Sequence, residues 1–154
     1  MIRVLFVCLG NICRSPMAEA VFKELVNKDN LSTKIKVESA GTGNWHIGDD
    51  PHPGTLEILD KHDISAEGLK GRQLQQNDFE RFDYIVGMDE NNIADIRSML
   101  NQPVHPKIFR FLDLTYHAKD VPDPYFTGDF NETYELVTEG CTALLQKIKE
   151  EQVV

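Results

Sequence analysis

Residues 2–8 are apolar apart from Arg3, a continuous run that predicts a strand. From residue 17 the spacing changes: Ala18, Val21, Phe22, Leu25 and Val26 recur at helical intervals and predict a helix over 17–28. A second strand is expected over Ile35 to Ser39, then a Gly-rich loop over 40–48 and a helix near Gly54 to Lys61. Phe82 to Gly87 reads as a third strand, Asn91 to Leu100 as a helix, and Lys107 to Arg110 as a short fourth strand. Phe130, Tyr134, Val137, Cys141, Leu144, Leu145 and Ile148 form one stripe of a last helix between Asp129 and Glu150. Strands alternating with helices imply an α/β fold with a parallel sheet. The connection before the last helix, centred on Pro122-Asp123-Pro124-Tyr125-Phe126, is longer than a link requires, and such loops often carry function.

The chemistry sits at the first strand-to-helix junction, Cys8-Leu9-Gly10-Asn11-Ile12-Cys13-Arg14-Ser15-Pro16. Cys8 to Arg14 spans one tight turn whose backbone N–H groups can converge on a tetrahedral oxyanion, with a helix N-terminus behind it. Leu9, Gly10, Asn11, Ile12, Cys13 and Arg14 are the expected phosphate cradle. A phosphate monoester dianion repels nucleophiles, so the attacking group must arrive ionised and the non-bridging oxygens must be offset. Cys8, beside a guanidinium and a helix N-terminus, suits the first need, and Arg14, as a bidentate clamp, the second. Departure of an aryl or alkyl oxide needs a proton from across the cleft, for which Asp123 between two prolines is the candidate; Asp120 competes with it.

The segment Val4 to Ala20, with Cys8 to Pro16 reading CLGNICRSP, resembles the low-molecular-weight protein tyrosine phosphatases. The likeness continues through Ser39, Trp45, Met88-Asp89 and Asp123-Pro124-Tyr125, and so covers essentially the whole chain. It implies one domain over residues 1–154: a four-stranded parallel sheet flanked by helices on both faces, with the phosphate-binding loop after strand one. It implies Cys8 as nucleophile, Arg14 as transition-state clamp and Asp123 as general acid and base of a phosphocysteine mechanism that requires no cofactor or metal. Ser15 is expected to donate a hydrogen bond to the Cys8 sulfur, Asn11 and Ser39 to brace the loop, and His62 to join them, although a histidine closing a helix also simply suits the dipole. Cys13, as a second thiol in the cradle, implies reversible disulfide formation with Cys8. Ile12, Trp45, Tyr125 and Phe126 are the expected walls of a cleft for a phenyl ring. Phe126 replaces a second tyrosine seen in many relatives, which removes the acceptor for regulatory phosphorylation there.

Composition narrows the partners. With 16 Lys and Arg against 25 Asp and Glu, a net charge of -9, the chain lacks the cationic surface that nucleic acid demands. No apolar stretch has the length of a membrane span and no secretory signal opens the chain, so the expected compartment is the cytoplasm. Three cysteines fit a reducing compartment. The expected partner is a phosphotyrosine protein, a tyrosine kinase among the candidates. Arsenate reduction on the same fold needs a relay of further cysteines that is lacking here. Protein arginine phosphatases typically place a threonine where Ile12 stands. A phosphopeptide-binding module would have no use for both nucleophile and acid.

Overall fold

The computed structural model describes residues 1–154. Its sheet contains β1 (Ile2–Cys8), β2 (Ile35–Gly41), β3 (Tyr84–Gly87) and β4 (Ile108–Arg110), all parallel, in the order β2-β1-β3-β4. Helices α1 (Arg14–Lys28), α2 (Pro53–Lys61), α3 (Asp78–Arg81), α4 (Glu90–Met99), α5 (Pro124–Thr127) and α6 (Phe130–Gln152) complete it, with a 3-10 turn at Phe111–Leu114. The continuous apolar run of β1 follows from its central place, because both of its faces are covered. Val4 and Phe6 point into the core shared with α1 and α6, while Leu5 and Val7 point into a second core with Ile93, Ile96 and Leu100 of the α4 region.

Phe6 anchors the larger core, edge-on to Phe22 at 5.7 Å and to Phe111 at 5.3 Å between ring centroids. Gly140 lets α6 settle on that cluster, since a Cβ there would stand 2.6 Å from the Phe111 ring. The helical cost of a mid-helix glycine, about 1 kcal/mol, is smaller than the overlap it avoids.

Several boundaries differ from the pattern-based expectation. α1 begins at Arg14, not residue 17, because Pro16 fits a first turn, where a backbone N–H has no intrahelical acceptor. β3 begins at Tyr84, with Phe82 buried against the α4-side core ahead of it. The unexpected α3 forms around Asp78, whose buried carboxylate accepts from Gln75 N–H, Arg72 and Arg81. The long connection before α6 folds at both ends, into the 3-10 turn and α5, leaving residues 115–123 without regular structure.

From β1 the chain crosses to β2 on one side, whereas β3 lies on the other, so the carboxyl ends of β1 and β3 flank the point where strand order reverses. Crevices for ligands form at such points. Cys8 ends one of these strands, and Met88-Asp89 follows the other.

Candidate active site

Between Cys8 and α1 the backbone turns sharply, and Asn11 takes a left-handed conformation with φ 57°. Asparagine tolerates this better than most residues, and its side chain fixes the turn. Asn11 Nδ2 donates to Ser15 Oγ at 2.8 Å and to Ser39 Oγ at 3.0 Å, while its Oδ1 accepts from Arg72 N–H at 2.9 Å. Both amide hydrogens are thus used, and the orientation of the amide is fixed. Ser39 Oγ in turn donates to Glu19 Oε1 at 2.6 Å, so its own proton is committed. Ser15 Oγ, already an acceptor from Asn11, keeps its hydrogen for Cys8 Sγ, 3.0 Å away. Asn11 N–H also donates to Cys8 Sγ at 3.3 Å. Two donors therefore converge on a sulfur at the head of α1, an arrangement that stabilises thiolate. Gly41 permits β2 to pass close behind the loop, where a Cβ would lie 2.9 Å from Leu9 O.

Arg14 is almost wholly buried at the start of α1. Its Nη1 donates to Asp89 Oδ2 at 2.7 Å and to Val121 O at 2.9 Å, and its Nη2 to Asp123 Oδ2 at 3.3 Å. Burial disfavours the cation, but Cys8, Asp89 and Asp123 outweigh it and raise the guanidinium above its ordinary pKa. Nε is buried and donates to nothing in the protein. An unpaired buried donor costs free energy, and on a cation beside a thiol it identifies a place for an oxyanion. Asp89 serves twice, since it also caps α4 by accepting from Asn92 N–H at 2.7 Å while Asn92 Oδ1 accepts from Asp89 N–H at 3.2 Å.

Asp123 sits at the head of α5, its Oδ1 accepting from Tyr125 N–H at 3.1 Å. It joins Cys8, Leu9, Gly10, Ile12, Cys13, Arg14, Trp45, His46, Tyr125 and Phe126 around a cleft of about 290 Å³. Trp45, Tyr125 and Phe126 are 66%, 59% and 77% exposed, large apolar side chains held at the mouth rather than in the core. Burial first, then the charges of Cys8 and Asp123, push the Cys13 thiol up to about 12 against the opposing pull of Arg14. The cleft thus pairs a Cys8 sulfur held by two donors with a Cys13 sulfur that keeps its proton.

Residues 3–154 match the family of low molecular weight phosphotyrosine protein phosphatases. The chain belongs to this family. It is 51% identical over 154 residues to the low molecular weight protein-tyrosine-phosphatase YfkJ of Bacillus subtilis, with 99% of each chain covered. The crystal structure of YfkJ matches at TM-score 0.95 and 52% identity, over 98% of this chain and 96% of that one. The low molecular weight protein-tyrosine-phosphatase PtpA of Staphylococcus aureus is 43% identical over 149 residues, 96% of this chain and 94% of its own. The crystal structure of DARP, a drosophila arginine phosphatase, matches at TM-score 0.85 and 35% identity, over 97% of this chain and 98% of that one.

Within this phosphatase fold, nearly all residues singled out from the sequence lie together around the cleft. His62 does not. It closes α2 and stacks on Tyr134 at 3.9 Å between centroids, with no hydrogen bond to Asn11, Ser15 or Ser39, so the helix-end reading describes it. Its expected place in the bracing network is filled by Glu19 and the Arg72 backbone. Glu19 carried no signal in the sequence, because a glutamate in a helix normally faces water; its burial becomes visible only once α1 lies against β2. Asp120 does not line the cleft; it is exposed and accepts from Glu90 N–H and Arg110. Cys141 is fully buried, its sulfur 3.7 Å from Ala18 O, and burial pushes its thiol well above the ordinary range.

Proposed function

We propose that the protein hydrolyses phosphotyrosine in proteins through a phosphocysteine, with Cys8 as nucleophile, Arg14 as transition-state clamp and Asp123 as general acid and then base. The observation that carries this reading is the pairing of the doubly hydrogen-bonded Cys8 sulfur with the buried, unpaired Arg14 Nε, opposite Asp123. The Cys8 thiolate attacks phosphorus as the bond to the phenolic oxygen breaks, and protonated Asp123 supplies that oxygen's proton. Arg14 and the N–H groups of residues 9–14 offset the charge spreading over the three remaining oxygens. Water then attacks the phosphocysteine and gives its proton to Asp123, and phosphate leaves as the Cys8 thiolate reforms. Ser15 Oγ–H stabilises that thiolate as attacking and as leaving group.

The apolar mouth supports an aromatic substrate. A phenyl ring between Trp45 and the Tyr125-Phe126 pair removes apolar surface from water, and the depth of the slot suits phosphotyrosine better than the shorter phosphoserine. Ile12, which also lines the cleft, offers no hydroxyl to the guanidinium of phosphoarginine. A tyrosine kinase carrying phosphotyrosine is one protein of the required chemistry. The buried, protonated Cys141 is no relay for arsenate reduction. Cys13 shares the cleft with Cys8, which supports a protective role: peroxide oxidises Cys8 to the sulfenic acid, Cys13 sulfur attacks it, and water leaves as the disulfide forms.

The test is steady-state hydrolysis of phosphotyrosine and phosphoarginine peptides with chelator and reductant. Turnover of phosphotyrosine that Cys8→Ser abolishes is the expected result. Turnover of phosphoarginine alone overturns the substrate, and turnover of neither overturns the reading. Inactivation by peroxide should be reversed by dithiol in the wild type and not in Cys13→Ser.

A further inference from the structure

Asp123 stands at the end of a segment that the secondary structure does not position. Across residues 116–122 a single backbone-to-backbone hydrogen bond, Val121 N–H to Met88 O at 2.9 Å, ties the chain to the residue that follows β3. Val121 is also buried in the main core with its O accepting from Arg14 Nη1 at 2.9 Å, and His117 Nε2 lies 3.3 Å from Glu139 Oε2; between those anchors, residues 118–120 are held chiefly by Arg110, the last residue of β4. Its Nη2 donates to Ala118 O at 2.9 Å and its Nη1 to Asp120 Oδ1 at 3.1 Å. The guanidinium is itself held in place by Asp113, which accepts from Nε at 3.0 Å and Nη2 at 2.8 Å, and by Glu90, which accepts from Nη1 at 3.3 Å. Asp120 Oδ1 also accepts from Glu90 N–H at 3.0 Å, next in sequence to the Asp89 that holds Arg14. All the donor nitrogens of Arg110 are engaged, and two of its acceptors lie within five residues of Asp123.

We infer that Arg110 is a positioning residue for the general acid: with Asp120 it fixes the span 118–121 against β4 and α4, and so sets where the Asp123 carboxyl meets the leaving oxygen. Planarity is what qualifies arginine for this. Its fork engages Asp113 on one side and Asp120 with the Ala118 carbonyl on the other, which a single ammonium does not reproduce. Arg110 does not line the cleft and touches no reacting atom, so its removal leaves the phosphate loop intact and misplaces the acid. A shift of about 1 Å in such a group lowers rates by up to about 10²-fold.

This inference rests on the proposed phosphatase reaction, and the experiment separates the two. kcat/KM is measured for phosphotyrosine, whose phenol is weakly acidic, and for p-nitrophenyl phosphate, whose more acidic phenol departs with less help from an acid. Arg110→Ala should lose about tenfold on phosphotyrosine and less than about threefold on p-nitrophenyl phosphate, a part of the roughly 10²–10⁴ that general acid catalysis supplies. Arg110→Lys should recover only part of the loss, and Asp120→Ala should reproduce it more weakly. These two variants decide the matter if Arg110→Ala fails to fold, because neither removes a core side chain. Equal losses on both substrates, or none, overturn the positioning role. Asp123→Asn is measured alongside: if it shows no selective loss on phosphotyrosine, the assignment of the acid fails and this inference fails with it. A selective Asp123→Asn beside unselective Arg110 and Asp120 variants refutes the positioning role alone.

Discussion

The two halves of the cleft are built in opposite ways. The phosphate loop, Cys8 to Arg14, is fixed many times over: β1 delivers it, α1 receives it, β2 passes behind it at Gly41, and Asn11 makes three side-chain hydrogen bonds within and behind it. The acid segment, residues 115–123, has no regular structure and is held at separate points: the buried Val121 with its backbone bond and the Arg14 contact to its O, the His117–Glu139 pair, and the Arg110 clamp with the Glu90 N–H bond to Asp120. The loop must present donors in one geometry throughout the reaction, since preorganisation is the source of its effect. The acid must meet a leaving group that arrives with each substrate and departs, which suits a segment held at a few points. Reactivity is therefore concentrated in the rigid half, and adaptation in the other.

The strongest test of that division removes one reacting group from each half. Cys8→Ser should lower kcat by about 10³-fold or more, because an alcohol at this site is not ionised and the other thiol lining the cleft, Cys13, keeps its proton. Asp123→Ala should lower kcat on phosphotyrosine by roughly 10²–10³-fold and leave a Cys8 that still reacts once with a substrate whose phenol is acidic. A burst of phenol from Asp123→Ala on p-nitrophenyl phosphate, read in rapid mixing, is the expected signature; equal loss of burst and turnover would contradict the separation of roles.

A change in the bracing of the rigid half should be felt less, and in a way that separates backbone from side chain. Asn11→Ala loses three hydrogen bonds and forces alanine to φ 57°, whereas Asn11→Gly loses the bonds alone. The expected destabilisation is about 2–4 kcal/mol for alanine and about 1 kcal/mol less for glycine, read from urea unfolding midpoints. Should both variants destabilise equally, the left-handed turn stores no strain. Native-state hydrogen exchange should add that amides of residues 116–120 exchange faster than those of β1, which pairs with β2 on one side and β3 on the other, since the former lack backbone acceptors within the fold.

The same contrast explains what the sequence made visible. The rigid half is contiguous: nucleophile, cradle and clamp lie within Cys8 to Ser15, and the apolar strand before it and the helical stripe after it are period signals. Trp45 and Tyr125 were legible as large apolar residues in polar, turn-rich surroundings. The acid half depends on residues far apart in the chain, Arg110 with Asp120 and Arg14 with Val121, and no periodicity links them. Glu19 was hidden for the same reason, its partner Ser39 lying on β2. His62 misled because helix-end position and proximity to the site look alike in one dimension; stacking on Tyr134 of α6 resolves them.

The smallest effect concerns Cys13, a residue of the phosphate loop whose thiol feels the charges of both halves. Its thiol, ordinarily near 9.0, is pushed up to about 12 by burial first and then by Cys8 and Asp123, so the folded protein holds this proton after the unfolded chain has released it. Below about pH 9 the thiol is protonated in both states and contributes no pH dependence. Between about pH 9 and about 12 the unfolded state binds fewer protons, so stability falls as pH rises, at a limiting slope of about 1.4 kcal/mol per pH unit. Replacing Cys13 with alanine removes that titration. Urea unfolding of wild type and Cys13→Ala at pH 7 and pH 10 should therefore show the gap between them shifting in favour of alanine at the higher pH. An unchanged gap would mean that Cys13 shares its ionisation with solvent, and that the floor of the cleft is wetter than its packing between Arg14 and Thr55, whose hydroxyl donates to Cys13 O at 3.1 Å, indicates.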